Sequence, residues 1–115
     1  MIFNPLIVVP ILFTVLINLI YGNYWKNNPP KEINKYYGYR TKTSMKTQER
    51  WDFSQKVGAQ KMIKYSYYLS LSSFLGFLIK IEYVGLSISI SVICIILWAF
   101  MLIYKTEMAI RRKFE

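Results

Sequence analysis

The sequence predicts an all-α membrane protein: three transmembrane helices, with a cytoplasmic motif loop and an interfacial helix between the first and the second. Three observations lead there. Hydrophobic residues make up 54% of the 115 residues and gather in long uncharged runs, the pattern of lipid-facing helices rather than of a soluble core. The 15 Lys+Arg, against 6 Asp+Glu, flank those runs rather than interrupt them. The basic residues also fall almost wholly on one side of the runs. The chain reads as a single membrane domain over 1–115, with spans at about 2–21, 62–79 and 83–104 and the motif loop and interfacial helix over 34–61.

The first run, Ile2 to Tyr21, is uncharged and long enough to cross the hydrocarbon core. Pro5 lies in its first turn, where a missing N–H costs little, and Pro10 predicts a kink. A cleaved signal peptide would want a basic start and a small-residue cleavage site. Nothing before Tyr21 is basic and LINLIYGNYW has no A-x-A pattern, so an uncleaved span is expected. The second run, Tyr65 to Ile79, is bounded by Lys64 and Lys80, whose stems can snorkel to the interfaces. It is short, which places the helix start near Met62. The third, Tyr83 to Tyr104, is 22 residues without a charge. KIE at 80–82 leaves room only for a tight turn, so spans two and three form an antiparallel hairpin.

Orientation follows from the basic residues. Ten fall between Gly22 and Lys64, four between Lys105 and Lys113, and one, Lys80, in the second turn. The positive-inside rule puts the N-terminus outside and the loop and C-terminus in the cytoplasm. Cations that flank apolar runs have anionic lipid headgroups as their partner, not nucleic acid. The lone cysteine, Cys94, sits in an apolar run and excludes an internal disulfide or a multi-Cys metal site.

The loop is more particular than a connection needs to be. Pro29-Pro30 stops the first helix. Tyr21, Tyr24 and Trp25 suit an interfacial aromatic belt. Gly38 marks a bend or a close backbone approach before Tyr39 and Arg40. Ser44 and Thr47 are both candidate N-caps, and Glu49 after Thr47 suits the helix dipole. From Gln48 onward one proline-free helix is expected to start on the membrane surface and run into span two, with a bend near Gly58 as an option. Trp51, Gln55, Gly58, Met62 and Tyr65 share one of its faces.

The stretch NKYYGYRTKTSMKTQERWDFSQKVG resembles the signature of the SdpI family, bacterial membrane proteins named for immunity against a sporulation-delaying toxin. Asn34, Gly38, Tyr39, Arg40, Thr41, Ser44, Met45, Lys46, Trp51 and Gln55 fit it. Thr47 stands where Asn is more usual, and Gly58 comes one position early. The order of one span, motif loop and two spans is similar too, although longer immunity proteins carry further spans. The resemblance implies a multi-pass protein of the bacterial cytoplasmic membrane that protects its producer from a membrane-active peptide or protein toxin, by binding it in or at the membrane. It makes Asn34, Gly38, Tyr39, Arg40, Thr41, Ser44, Lys46, Trp51 and Gln55 the expected partner- or lipid-binding motif.

Enzyme chemistry finds little material. There is no His, no acid inside a span and no convincing nucleophile–base pair, so no catalytic residue, metal site or cofactor is expected. The absence of an intramembrane carboxylate also argues against a proton-coupled exporter. Ser66, Ser70, Ser73 and Gly76, with Ser87 and Ser91, read as small residues packing spans two and three together, or as a face that captures a partner helix. Arg40 can bind lipid phosphate, hold an acidic partner, or pair with Glu49 or Asp52. Beside immunity stand a structural or regulatory subunit of a membrane complex, docking a soluble partner or a membrane protein through the basic loop, and a holin-like pore former. A homo-oligomer stays open.

Overall fold

A computed structural model describes residues 3–115, so the expected start of the first span at Ile2 lies outside the described residues. Each helix boundary has a local cause. Asn4 caps α1 (Pro5–Asn27): its side chain accepts from Leu6 N–H, and Pro5 follows at the first helical position. The helix continues through Pro10 and closes before Pro29-Pro30, with Asn28 N–H on the Tyr24 carbonyl. Thr47 caps α2 (Gln48–Ser72), its hydroxyl accepting from Arg50 N–H, with Glu49 in the first turn. Of the two candidate caps Thr47 therefore starts the helix, and Ser44 closes a separate turn. A 3-10 turn over Ser73–Phe77 follows, and α3 spans Val84–Phe114. No strand occurs among the described residues.

Two expectations change. The second helix leaves α geometry at Ser72 rather than continuing to Ile79. The Ser72 and Ser73 hydroxyls donate to carbonyls three residues back, at Leu69 and Ser70, and tighten the chain there. The basic tail after Tyr104 is not separate from the third helix: α3 runs to Phe114, because no Pro or Gly follows Tyr104 and Arg111, Arg112 and Lys113 suit its C-terminal dipole.

α1 and α3 are long and apolar enough to cross a membrane. α2 is charged only up to Lys64, carrying Lys56, Lys61 and Lys64 before its apolar last third. All three helices pack against one another. Ile7, Ile11 and Val15 on α1 and Leu69 on α2 form the buried centre, flanked by Ile79, Ile90, Cys94 and Trp98. Phe13, Ile20, Phe74 and Phe100 instead lie bare on the outside, as lipid-facing side chains do. The molecule measures 51 × 25 × 21 Å, about 20 Å longer than the roughly 30 Å hydrocarbon core.

Glycines let α1 and α2 approach. A Cβ on Gly22 would meet the Ile63 side chain at 2.9 Å, and one on Gly58 would meet the Trp25 ring at 2.6 Å. Gly58 is therefore the seat of Trp25 rather than a bend. Gly76 packs on α1, against Val8 and the Asn4 carbonyl, not into the α2–α3 seam; the 3-10 turn swings it there. Ser66, Ser87 and Ser91 are buried and Ser70 and Ser73 half-buried. Their hydroxyls bond carbonyls of their own chain segment rather than reaching across helices. Ser87 is the exception: it also accepts from Asn4 Nδ2 at 2.6 Å, while Asn4 Nδ2 donates to the Ile79 carbonyl. Asn4, buried at 2% exposure, thus ties the three segments at the end far from the loop.

Candidate functional site: a loop clamped to three helices

The loop after α1 folds around side-chain caps. The Asn34 side-chain Oδ1 accepts from Tyr36 and Tyr37 N–H at 2.9 and 2.7 Å, an Asx turn. The Tyr37 hydroxyl donates to the Asn28 carbonyl, and its ring stands edge-on to Tyr21. Trp51, fully buried on α2, donates its indole N–H to the Pro30 carbonyl at 2.8 Å. Gln48 donates to the Lys31 carbonyl. The Pro-Pro arm is thereby sewn to the first turns of α2.

Gly38 then takes φ +97°, a left-handed conformation that a side chain resists. A Cβ there would collide with Gln55 Oε1 and with Pro30. That closeness serves the next residue. Gln55 Oε1 accepts from Tyr39 N–H at 2.8 Å while Gln55 Nε2 donates to the Tyr39 carbonyl at 2.8 Å, so one amide satisfies both backbone groups of Tyr39. The same Oε1 accepts from the Trp25 indole of α1 at 3.2 Å. Gln55 is 1% exposed and Trp25 5%, which removes Trp25 from the expected aromatic belt: its polar edge turns inward to Gln55.

The Tyr39 side chain reaches the third helix. Its hydroxyl donates to Glu107 Oε1 at 2.7 Å, and the Thr41 hydroxyl donates to the same oxygen at 2.6 Å. The Ser44 hydroxyl accepts from Thr41 N–H at 2.8 Å and itself faces the Tyr39 and Thr41 carbonyls, holding the loop's second turn. Burial pushes the Glu107 carboxyl up, but the hydroxyls of Thr41, Tyr39 and Thr43 and the nearby Arg111 outweigh it, leaving the group below the usual carboxylate range. Burial and the Glu107 bond push the Tyr39 phenol well up, so it stays a donor.

Asn34, Gly38, Tyr39, Thr41, Ser44, Trp51 and Gln55 are therefore brought together as the fabric of the clamp. Arg40 and Lys46 are not: both are exposed and make no hydrogen bond or ion pair among the described residues. The expected pairing of Arg40 with Glu49 or Asp52 does not form, since the turn held by Ser44 aims Arg40 outward. Nor do Tyr39 and Trp51 stack beside it, because each is bonded elsewhere. Sequence reasoning missed Glu107, whose one signal is that it is the single acid in α3. At the C-terminus of that helix Phe114 meets Phe53 edge-on, and the Arg50 guanidinium, 5.5 Å from the Phe114 ring, lies 3.6 Å from the Glu115 carboxylate.

Residues 31–105 match the SdpI/YfhL protein family. The chain belongs to that family. The match takes in the loop from Lys31, α2 and most of α3; α1, Asn28, Pro30 and Glu107 lie outside it. A second similarity is to "Uncharacterized protein YfhL" of Bacillus subtilis (strain 168), 44% identical over 45 residues. That stretch is 39% of this chain and 41% of the relative, so the similarity spans less than half of either. No solved structure matches the chain. Family membership and two span-length apolar helices make this a membrane protein of the SdpI/YfhL family.

The clamp's charge makes a first prediction. A carboxylate held below its ordinary pKa contributes stability that is present above about pH 4.5 and lost as pH falls through its folded value. Acid should therefore loosen the loop. In Glu107→Gln the melting temperature at neutral pH should drop by the equivalent of about 1 kcal/mol, a figure kept small by solvent access. The variant should also lose the part of the acid sensitivity that Glu107 causes. Thermal melts in detergent from pH 3 to 7 check both. Unchanged acid sensitivity would show that Glu107 carries no part of it.

Proposed function

We propose that the chain is an integral membrane immunity protein, protecting its producer from a membrane-active peptide or protein toxin by binding it in or at the bacterial cytoplasmic membrane. One observation carries this: the SdpI/YfhL motif is spent almost entirely on building a rigid clamp, and what the clamp holds out free is Arg40, with Lys46 beside the same turn. A bare guanidinium on a fixed loop is a recognition group for a carboxylate or phosphate. In this reading α2 also crosses the bilayer, its apolar last third and the 3-10 turn providing the return path. The N-terminus lies outside and the clamp in the cytoplasm, as the excess of Lys and Arg at that end favours.

Expression in a toxin-sensitive bacterial host tests the function. The unmodified chain should raise survival, Arg40→Ala should lose most of the gain at equal membrane abundance, and Arg40→Lys should keep part of it. No gain from the unmodified chain sinks the reading. The orientation has its own check. With Cys94→Ser and Lys46→Cys, an impermeant thiol reagent should label position 46 only after the cells are opened. Labelling in intact cells would invert the topology.

A further inference from the structure

Two clefts between α2 and α3 meet at Tyr65. One is apolar, walled by Tyr68, Leu69, Cys94, Leu97, Trp98 and Met101. The other is bordered by Lys61, Tyr104, Lys105 and Arg112. Helical spacing places them end to end along one groove, or channel. On α3, Cys94, Met101, Lys105 and Arg112 fall at i, +7, +11 and +18, and on α2, Lys61, Tyr65, Leu69 and Ser72 fall at i, +4, +8 and +11, a single face in each case.

The mouth is purely cationic. No Asp or Glu lines either cleft, and Lys61, Lys105 and Arg112 make no ion pair among the described residues. Glu107 cannot neutralise them from its own helix: it lies two residues from Lys105, about 200° round α3, and holds Tyr39 and Thr41 there. Lys61 Nζ rests 5.8 Å from the Tyr65 ring centre, at the junction of the two parts.

We propose that this channel binds one anionic phospholipid from the adjoining leaflet, its phosphate held by Lys61, Lys105 and Arg112 and one acyl chain lying along Leu97, Trp98 and Met101. Lys105 and Cys94 are eleven residues apart, about 16 Å of helix, which matches the roughly 15 Å of hydrocarbon in one leaflet. Cations at headgroup level above an apolar slot complement a phosphate joined to a chain. An apolar helix would fill the slot and leave three cations unanswered. The inference goes beyond toxin immunity and needs only that this end of the α2–α3 pair reaches the lipid interface.

The full chain is placed in phosphatidylcholine vesicles containing a minor fraction of phosphatidylglycerol, with brominated acyl chains on one lipid or the other. Trp98 lines the slot, whereas Trp25 and Trp51 are buried in the clamp; Trp98→Phe identifies its share of the fluorescence. Brominated phosphatidylglycerol should quench Trp98 on the order of tenfold more efficiently per lipid than brominated phosphatidylcholine. The preference should vanish in K61Q/K105Q/R112Q. It should survive in K26Q/K31Q/K35Q, which removes equal charge elsewhere, and in K61R/K105R/R112K. Free glycerol phosphate in excess should not relieve the quenching; relief would overturn the acyl-chain part. Equal quenching by both lipids in the unmodified chain overturns the proposal outright. So does equal loss in the two charge-removed triples, or protection of Trp98 from both lipids by a second copy of the chain. None of these readings involves a toxin, so they stand or fall apart from the immunity assay.

Discussion

Gly38→Ala should release the motif loop. At φ +97° an alanine is strained, which costs roughly 1–2 kcal/mol before any contact is counted. Its Cβ would also strike Gln55 Oε1 and Pro30 Cγ. Neither can retreat freely: the Gln55 amide is fixed by Tyr39 and Trp25, and the Pro30 carbonyl by Trp51. The total is expected at about 2–4 kcal/mol, concentrated in the loop. The readout is a lower melting temperature together with rapid proteolysis between Lys31 and Lys46. Gly85→Ala is the matched control, since a Cβ there meets nothing within 4 Å and the residue sits in the first turn of α3. It should be neutral, or stabilising by up to about 1 kcal/mol. Equal behaviour of the two variants would remove the case for a conformational role of Gly38.

Gln55→Leu should be the most damaging single change in the clamp. It keeps the side chain's bulk but strands two groups, the Tyr39 N–H and the Trp25 indole N–H, and leaves the Tyr39 carbonyl with the Ser44 hydroxyl alone. Each buried orphan costs about 1–3 kcal/mol. Partial access of water to Tyr39 trims the sum, and a loss of about 3–5 kcal/mol is expected. Gln55→Glu sharpens the test. At neutral pH a carboxylate still accepts from both N–H groups but faces the Tyr39 carbonyl with an oxygen in place of a donor. Protonation restores a donor, so this variant should regain stability as pH falls, opposite in sign to the Glu107 contribution. Melts that fall with acid in Gln55→Glu as steeply as in the unmodified chain would show that the Tyr39 carbonyl does not need that donor.

These two positions show what the sequence makes legible and what it does not. Uncharged runs mark α1 and α3, and the Trp51–Gln55–Gly58 spacing marks the buried face of α2, because helical periodicity is local. The partners of that face are not. Gln55 lies 16 residues from Tyr39, and Glu107 lies 68 residues from it. Nothing in either neighbourhood names the other. Trp25 is ambiguous by chemistry: an indole at the end of an apolar run suits an interface and a buried donor equally well, and only Gly58 across the helix pair decides. Asn4 hides for the opposite reason. It reads as a simple helix cap, and its second duty to Ile79 and Ser87 appears only once the third helix stands beside the first. Arg40 is conspicuous in the sequence, but the turn that denies it a carboxylate partner depends on the Ser44 hydroxyl accepting from Thr41 N–H.

The late position of Glu107 bears on how the protein is made. As the polypeptide emerges during synthesis, Trp25, Tyr39 and Gln55 become available well before the carboxylate that receives the Tyr39 and Thr41 hydroxyls. The first part of the clamp can therefore assemble on a nascent chain, while the fastening at Glu107 must wait until the third helix packs beside the first two. Until then the guanidinium of Arg40 rides on a half-anchored strap, and completion of the third helix is the event that stiffens it.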